Sequence, residues 1–236
     1  MREMLDRAAV FVGPGLTEED MSEIDTDLID LHPPIRRGDL RHAMDAGYRI
    51  LAIIDGEFYQ NLAVSPKEIL VGLRDGRRII GGSSMGALRA AEMDVYGMEG
   101  VGQIYAWYRS GLVNRDDDVA LMFGSFDVGS YRAVTVPMVN VLWAMSEFKR
   151  LNLMPSGSRR RVTATARRIH WTNRNWPGIC EGAGLNNHDR EIVYRWSRNP
   201  DSDLKRIDAR HVVAHTVVRV QSQREGNMIT AEVGGS

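Results

Sequence analysis

Short apolar runs closed by turn residues alternate with capped, helix-forming stretches over the first hundred residues. Ala8–Val12 is rich in β-formers and is closed by Gly13-Pro14-Gly15, so it reads as a buried strand followed by a turn. Thr17, followed by Glu18, Glu19 and Asp20, opens a helix: its hydroxyl caps, and the acids favour the positive end of the helix dipole. Leu28–Leu31 is a second strand, stopped by Pro33-Pro34. Gly38-Asp39-Leu40 opens a short helix to about Ala46. Arg49–Ile54 is the strongest strand and ends in the turn signal Asp55-Gly56. Ser65-Pro66-Lys67-Glu68 is a capping box with proline at the first helical position, and predicts a helix to about Leu73. Asp75-Gly76 then turns the chain into the strand Arg77–Ile80. Gly81–Gly86 runs from there straight into the helix former Ala87–Glu92.

This alternation predicts an α/β fold, a mostly parallel sheet with flanking helices. Ligands on such sheets bind at the carboxyl ends of the strands. The tips there are Gly13-Pro14-Gly15, His32-Pro33, Asp55-Gly56 and Gly82-Ser83-Ser84. Beyond residue 100 the pattern becomes helical: Gln103–Ser110, Val136–Leu151, then stretches near 160–172, 188–197 and 203–220. Pro155-Ser156-Gly157-Ser158 reads as a linker, and Gln221–Ser236 as a polar, frayed end. The expected organisation is an α/β core over 1–155 and a smaller helical C-terminal region over 156–236.

Charge sharpens that division. Residues 156–236 hold 14 Lys and Arg against 8 Asp and Glu, a net of +6, whereas residues 1–155 carry a net of −7. Two parts with different partners are expected. No apolar run reaches the ~18 residues of a membrane span. Arg2, Glu3, Asp6 and Arg7 interrupt the first residues, so no secretory signal is expected. Cys180 is the only cysteine, which excludes a disulfide framework and a cysteine-built zinc site. A cytoplasmic protein is the expectation.

Gly82-Ser83-Ser84-Met85-Gly86 fits G-x-S-x-G between a strand and a helix. In a nucleophile elbow this arrangement lifts a serine hydroxyl, here Ser84, out of a sharp turn, and N–H groups of the helix start hold an oxyanion. A small-residue turn with capping serines reads the same residues equally well. The partner base is open. His32 stands at a strand end, but a histidine before two prolines also suits a structural role. Lys67 offers a Ser–Lys pair or a local cap. Asp55 with Glu57, and the run Asp116-Asp117-Asp118, supply carboxylates that can position water or bind a cation, or simply make turns. Gly13-Pro14-Gly15 is too short for a nucleotide fingerprint. His211 and His215 have a zinc spacing, but His-Val-Val-Ala-His lacks the glutamate of H-E-x-x-H, and helix-surface histidines are the preferred reading. Arg159-Arg160-Arg161 with Arg167 and Arg168 suits an acidic partner or a solvated face, the latter preferred, and no nucleic acid is expected.

Taken together, several blocks resemble the TfuA-like family in order and spacing. They are Val10-Phe11-Val12-Gly13-Pro14, Ile53-Ile54-Asp55-Gly56-Glu57-Phe58 and Glu68-Ile69-Leu70. The most specific is Gly82 through Glu92, followed by Gly97-Met98-Glu99-Gly100-Val101-Gly102 and Asp116–Leu121. The resemblance covers about residues 8–123, with a weaker echo at Lys205-Arg206-Ile207-Asp208-Ala209.

The resemblance implies a partner of a YcaO enzyme in peptide backbone thioamidation, within the maturation of ribosomally made peptide natural products. It implies binding of a ThiS-like, ubiquitin-fold sulfur carrier and hydrolysis of the carrier's C-terminal thiocarboxylate to sulfide, with the precursor peptide met only indirectly. By motif position it implies Ser84, Asp55 and Asp117 as catalytic, and Ser83, Gly13, Pro14, Glu57, Arg89 and Glu92 as substrate-binding. No cofactor, metal or membrane is implied. Gly15 stands where the family favours a threonine-like residue, Asp118 where it tends to glutamate, and Phe123 where a histidine is frequent. Two other readings compete: a non-catalytic adaptor that recruits the carrier to the YcaO enzyme, and a serine hydrolase of small esters.

Overall fold

The computed structural model describes residues 5–25, 27–57, 62–127 and 130–233. Five parallel strands form the central sheet: β1 (Leu5–Phe11), β2 (Ile29–His32), β3 (Tyr48–Ile53), β4 (Arg78–Gly82) and β5 (Glu99–Val101), in the order β2-β1-β3-β4-β5. The connections between them carry α1 (Glu18–Ser22), α2 (Asp39–Ala46), α3 (Pro66–Arg74) and α4 (Met85–Met93). This is a doubly wound topology, and its strand order reverses between β1 and β3, the place where such sheets open a crevice.

The central strands β1, β3 and β4 carry apolar runs with no alternation because both of their faces are covered. Successive side chains point to opposite faces. Ala9, Phe11, Leu51, Ile53 and Ile79 meet Leu40, Ile69, Met85 and Leu88 from α2, α3 and α4. The alternate residues Ala8, Val10, Ile50, Ala52, Ile54 and Ile80 meet Ala209, Val212 and Val220. Those last three belong to the C-terminal helix.

Beyond β5 come α5 (Gln103–Ser110), a two-stranded antiparallel ribbon of β6 (Phe123–Asp127) and β7 (Ser130–Ala133), and then α6 (Met138–Arg150), α7 (Ser156–Arg168), α8 (Trp176–Gly182) and α9 (Asn187–Ser197). Helices α6–α9 enclose their own apolar cluster, including Phe148, Val162, Ile179, Cys180 and Val193. The chain does not remain there. Helix α10 (Leu204–Val233) returns to the sheet, where Gly82 gives it room: a Cβ at Gly82 would lie 2.4 Å from Val212 Cγ2.

Helix α10 also outruns its expected end. The segment 221–236, expected to fray, is helical to Val233, and residues 234–236 lie outside the described residues. Side chains tether it: Arg224 Nε donates to the Asp6 carbonyl (2.9 Å) and its Nη2 to the Asp27 carbonyl (2.6 Å). Asp208 of α10 accepts from the N–H groups of Gln103 (2.9 Å) and Ile104 (2.7 Å), capping α5 from a distant part of the chain. Burial pushes the Asp208 carboxyl up, and those two hydrogen bonds oppose the shift without cancelling it. Among the described residues, no helix is long and apolar enough to cross a membrane.

Candidate functional site

The site forms at the reversal point. Asp55 follows β3, and its carboxylate is buried. Its Oδ2 accepts from the backbone N–H groups of Gly13 (3.0 Å) and Gly15 (2.7 Å) in the loop after β1. That explains the glycine at 15, where a threonine-like residue was expected: a Cβ there would stand 2.6 Å from Asp55 Oδ2. On the other side, Lys205 Nζ lies 3.6 Å from Asp55 Oδ1 and donates to the Val119 carbonyl (3.3 Å). A buried carboxylate thus has two backbone donors and a buried cation, the arrangement that makes burial of charge tolerable.

The next strand end brings in the serine turn. Ser84 N–H donates to the Gly82 carbonyl (2.8 Å), closing a three-residue turn with Ser83 at φ 64°. Positive φ is costly for serine, and such turns are rare and strained. The strained position is therefore Ser83, one residue before the serine of the G-x-S-x-G reading. Ser83 is fully buried, and its hydroxyl donates to the Lys205 carbonyl (2.8 Å). Ser84 is the residue before α4, is 2% exposed, and its side chain does not cap the helix. Gly86 lets the helix start touch the sheet, since a Cβ there would lie 1.7 Å from the Ile53 carbonyl oxygen. Its N–H is spent on the Ile54 carbonyl (3.3 Å). The helix start is thus pinned directly onto the strand that carries Asp55.

Gly13, Asp55 and Ser83 accordingly meet, the first two directly and Ser83 through Lys205, with Pro14 lying between the two glycine donors. The other expected site residues are engaged elsewhere. Asp117 pairs with Arg115 (2.9 Å). Glu57 pairs with Arg36 across the β2–α2 connection. Arg89 donates to the Val64 carbonyl (2.9 Å) and pairs with Glu92 (2.7 Å) one turn along α4. Phe58 lies outside the described residues. In the acidic run, the buried member is Asp118, tied to Arg167 of α7.

His32 packs between the rings of Phe11 and Tyr48, with centroids 5.2 and 5.7 Å away. His215 bonds Glu99 (2.7 Å), and His211 lies 4.0 Å from Asp208, so the two histidines face different carboxylates. Lys67, the lysine weighed for a serine pair, is exposed on α3.

The lysine that reaches the site is Lys205, which sequence reasoning did not single out. Two signals pointed to it. It opens the C-terminal echo Lys205–Ala209, and it is one of three lysines in a chain whose other 27 basic residues are arginine.

Fold and site together define a class: doubly wound parallel α/β proteins with a buried, backbone-held carboxylate at the switch point. Within that class the chain belongs to the TfuA-like family, whose model, described as TfuA-like protein, matches residues 55–175, just over half of the sequence. No curated protein matches the chain. The family match begins at Asp55 itself, while Gly13, Gly15 and Lys205, which hold that carboxylate, lie outside it.

Proposed function

We propose that this protein is the partner of a YcaO enzyme in peptide backbone thioamidation, in the cytoplasmic maturation of ribosomally made peptides. In this reading it binds a ThiS-like sulfur carrier and hydrolyses the carrier's C-terminal thiocarboxylate to release sulfide. The observation that carries the reading is the meeting of the Asp55 carboxylate, Lys205 and the Ser83–Ser84 turn at the strand ends. The family adds the setting.

The chemistry is acyl transfer. The Ser84 hydroxyl attacks the thiocarboxylate carbon, the new C–O bond forms as the C–S bond breaks, and sulfur departs with the hydroxyl proton as hydrosulfide. Water then cleaves the ester, leaving the carrier's carboxylate and one proton and restoring Ser84. The Met85 N–H at the start of α4 is the donor suited to the developing oxyanion. Asp55 and Asp117 are the candidate bases, and Glu57, Arg89 and Glu92 the candidate carrier contacts. The first test is sulfide release from a thiocarboxylated carrier by the intact protein and by Ser84→Ala at equal folded concentration. Loss with the variant supports attack by Ser84. Survival moves the reaction to water oriented by Asp55.

A second reading, the non-catalytic adaptor, draws on one observation: both serines are buried, Ser83 completely and Ser84 to 2% exposure. In that case neither protein releases sulfide alone, and both support thioamidation once the YcaO enzyme is present.

A further inference from the structure

Three segments meet around the Asp55–Lys205 pair, and all three continue into the wall of one cleft. Gly15, whose N–H holds Asp55, lies two residues before Thr17. Val119, whose carbonyl holds Lys205, lies two residues before Leu121. Lys205 itself precedes Arg206. Thr17, Leu121 and Arg206 all border a cleft of about 350 Å³, which Val134, Trp196 and Asn199 also line. We infer that this cleft receives the extended C-terminal tail of the sulfur carrier and leads its thiocarboxylate to the Asp55–Lys205 site. The inference rests on the function proposed above and names where the carrier docks.

Size and lining select a chain end over a folded surface. The volume is at the low end of the ~300–1,000 Å³ typical of ligand clefts. It accepts a few residues of extended chain, each advancing about 3.3–3.6 Å. Every residue of such a tail presents a backbone donor and acceptor, which require polar partners once water is displaced. The cleft provides them beside its apolar walls: the exposed Arg198 and Asn199 stand with Leu121, Val134 and Trp196. Hollows of about 500 and 610 Å³ lie elsewhere, beside Asp20 and beside His32. Neither is bordered by residues next to Val119 or Lys205, so size alone does not pick the site.

The test separates docking from chemistry. The nitrogen-15-labelled full chain is titrated with the carboxylate form of the carrier, which binds without reacting. The indole N–H signals of Trp176 and Trp196, both on the cleft, are expected to shift, while those of Trp107 and Trp171 stay in place. In parallel, Val134→Arg fills the cleft from a side chain that is 62% exposed, so its melting temperature should match the parent. Its KM for the thiocarboxylated carrier is expected to rise about tenfold, or 1.4 kcal/mol of binding. Carrier binding that leaves both indoles unmoved, or an unchanged KM in Val134→Arg, overturns the inference while the proposed function stands. Absence of any carrier binding overturns both.

Discussion

Lys205 Nζ stands 3.6 Å from Asp55 Oδ1, each side chain at most 4% exposed, so the first turn of the last helix neutralises a carboxylate at the switch point of the sheet. Removing one member of a buried pair strands the other without compensation, at a cost of about 3–5 kcal/mol. Lys205→Met is therefore expected to lose stability on that scale in urea unfolding. The double variant Asp55→Asn/Lys205→Met should recover much of the loss, because the amide oxygen introduced in place of the carboxylate still accepts from Gly13 and Gly15 and no charge is left buried. A single variant costing less than about 1 kcal/mol would show that the pair is solvated in solution.

The serine turn predicts an inverted glycine effect. Glycine usually destabilises relative to alanine, but Ser83 has φ 64°, where a Cβ costs about 1–2 kcal/mol. Ser83→Ala keeps that strain and loses the hydrogen bond to the Lys205 carbonyl, worth about 1 kcal/mol. Ser83→Gly loses the same bond but relieves the strain. The glycine variant should thus melt above the alanine variant and close to the parent. Ser84→Ala removes no cap, so it should melt like the parent while sulfide release falls by orders of magnitude.

Acid should loosen the join between α1 and α10. Asp20, near the start of α1, accepts from Arg206 Nε (2.7 Å), Arg210 Nε (2.6 Å) and the Thr17 N–H (2.9 Å). Burial works to raise its carboxyl, but these bonds outweigh it and hold the group well below the usual carboxylate range. A carboxylate depressed on folding stabilises fully above its unfolded value of about 3.9, and the contribution fades as pH falls toward the folded value. Asp20→Asn is expected to cost about 1.5–3 kcal/mol at neutral pH. The gap between parent and variant should be flat from pH 8 to 5 and shrink below about pH 4. A gap that persists unchanged at acid pH would place the effect in packing instead of charge.

Local patterns carried most of the sheet. The capping boxes at Thr17 and Ser65, the turn Asp75-Gly76 and the apolar runs of β1, β3 and β4 each settle their conformation within a few residues, and each lies where the pattern placed it. Strand β5 was not foreseen because Glu99-Gly100-Val101 has no apolar run, and its pairing comes from lying beside β4. The ribbon of β6 and β7 and the helix α8 were likewise missed, being short elements fixed by their neighbours. For the site, Asp55 stood at a strand tip where it also suits a plain turn, and only the family resemblance favoured it. Lys205 was not legible, since only the fold returns the last helix to β3. The charge excess of residues 156–236 suggested a separate basic face, yet Arg161, Arg167 and Arg206 bind Ala183, Asp118 and Asp20 within the molecule. Net charge does not reveal which arginines are already paired.

The lone cysteine bears on how sulfur travels. Cys180 is fully buried among Phe148, Ile179 and Val193 of the helical cluster, and burial pushes its thiol up to about 11. The thiolate is the form that attacks an acyl carbon or reacts with alkylating agents, and it is scarce at neutral pH in such surroundings. A thioester relay through Cys180 would need the helical cluster to open, and a persulfide would need a two-electron oxidant as well, because thiocarboxylate sulfur is already at the sulfide level. Sulfur is therefore expected to leave as free sulfide. Cys180→Ala should release sulfide from the thiocarboxylated carrier at the parent's rate, at a cost in stability of about 1 kcal/mol for the lost packing. Iodoacetamide at pH 8 should leave the native protein unmodified and label it once urea unfolds it. Rapid labelling of the folded chain together with loss of sulfide release in Cys180→Ala would make the cysteine the nucleophile, forming a thioester as hydrosulfide leaves, and displace Ser84 from the chemistry.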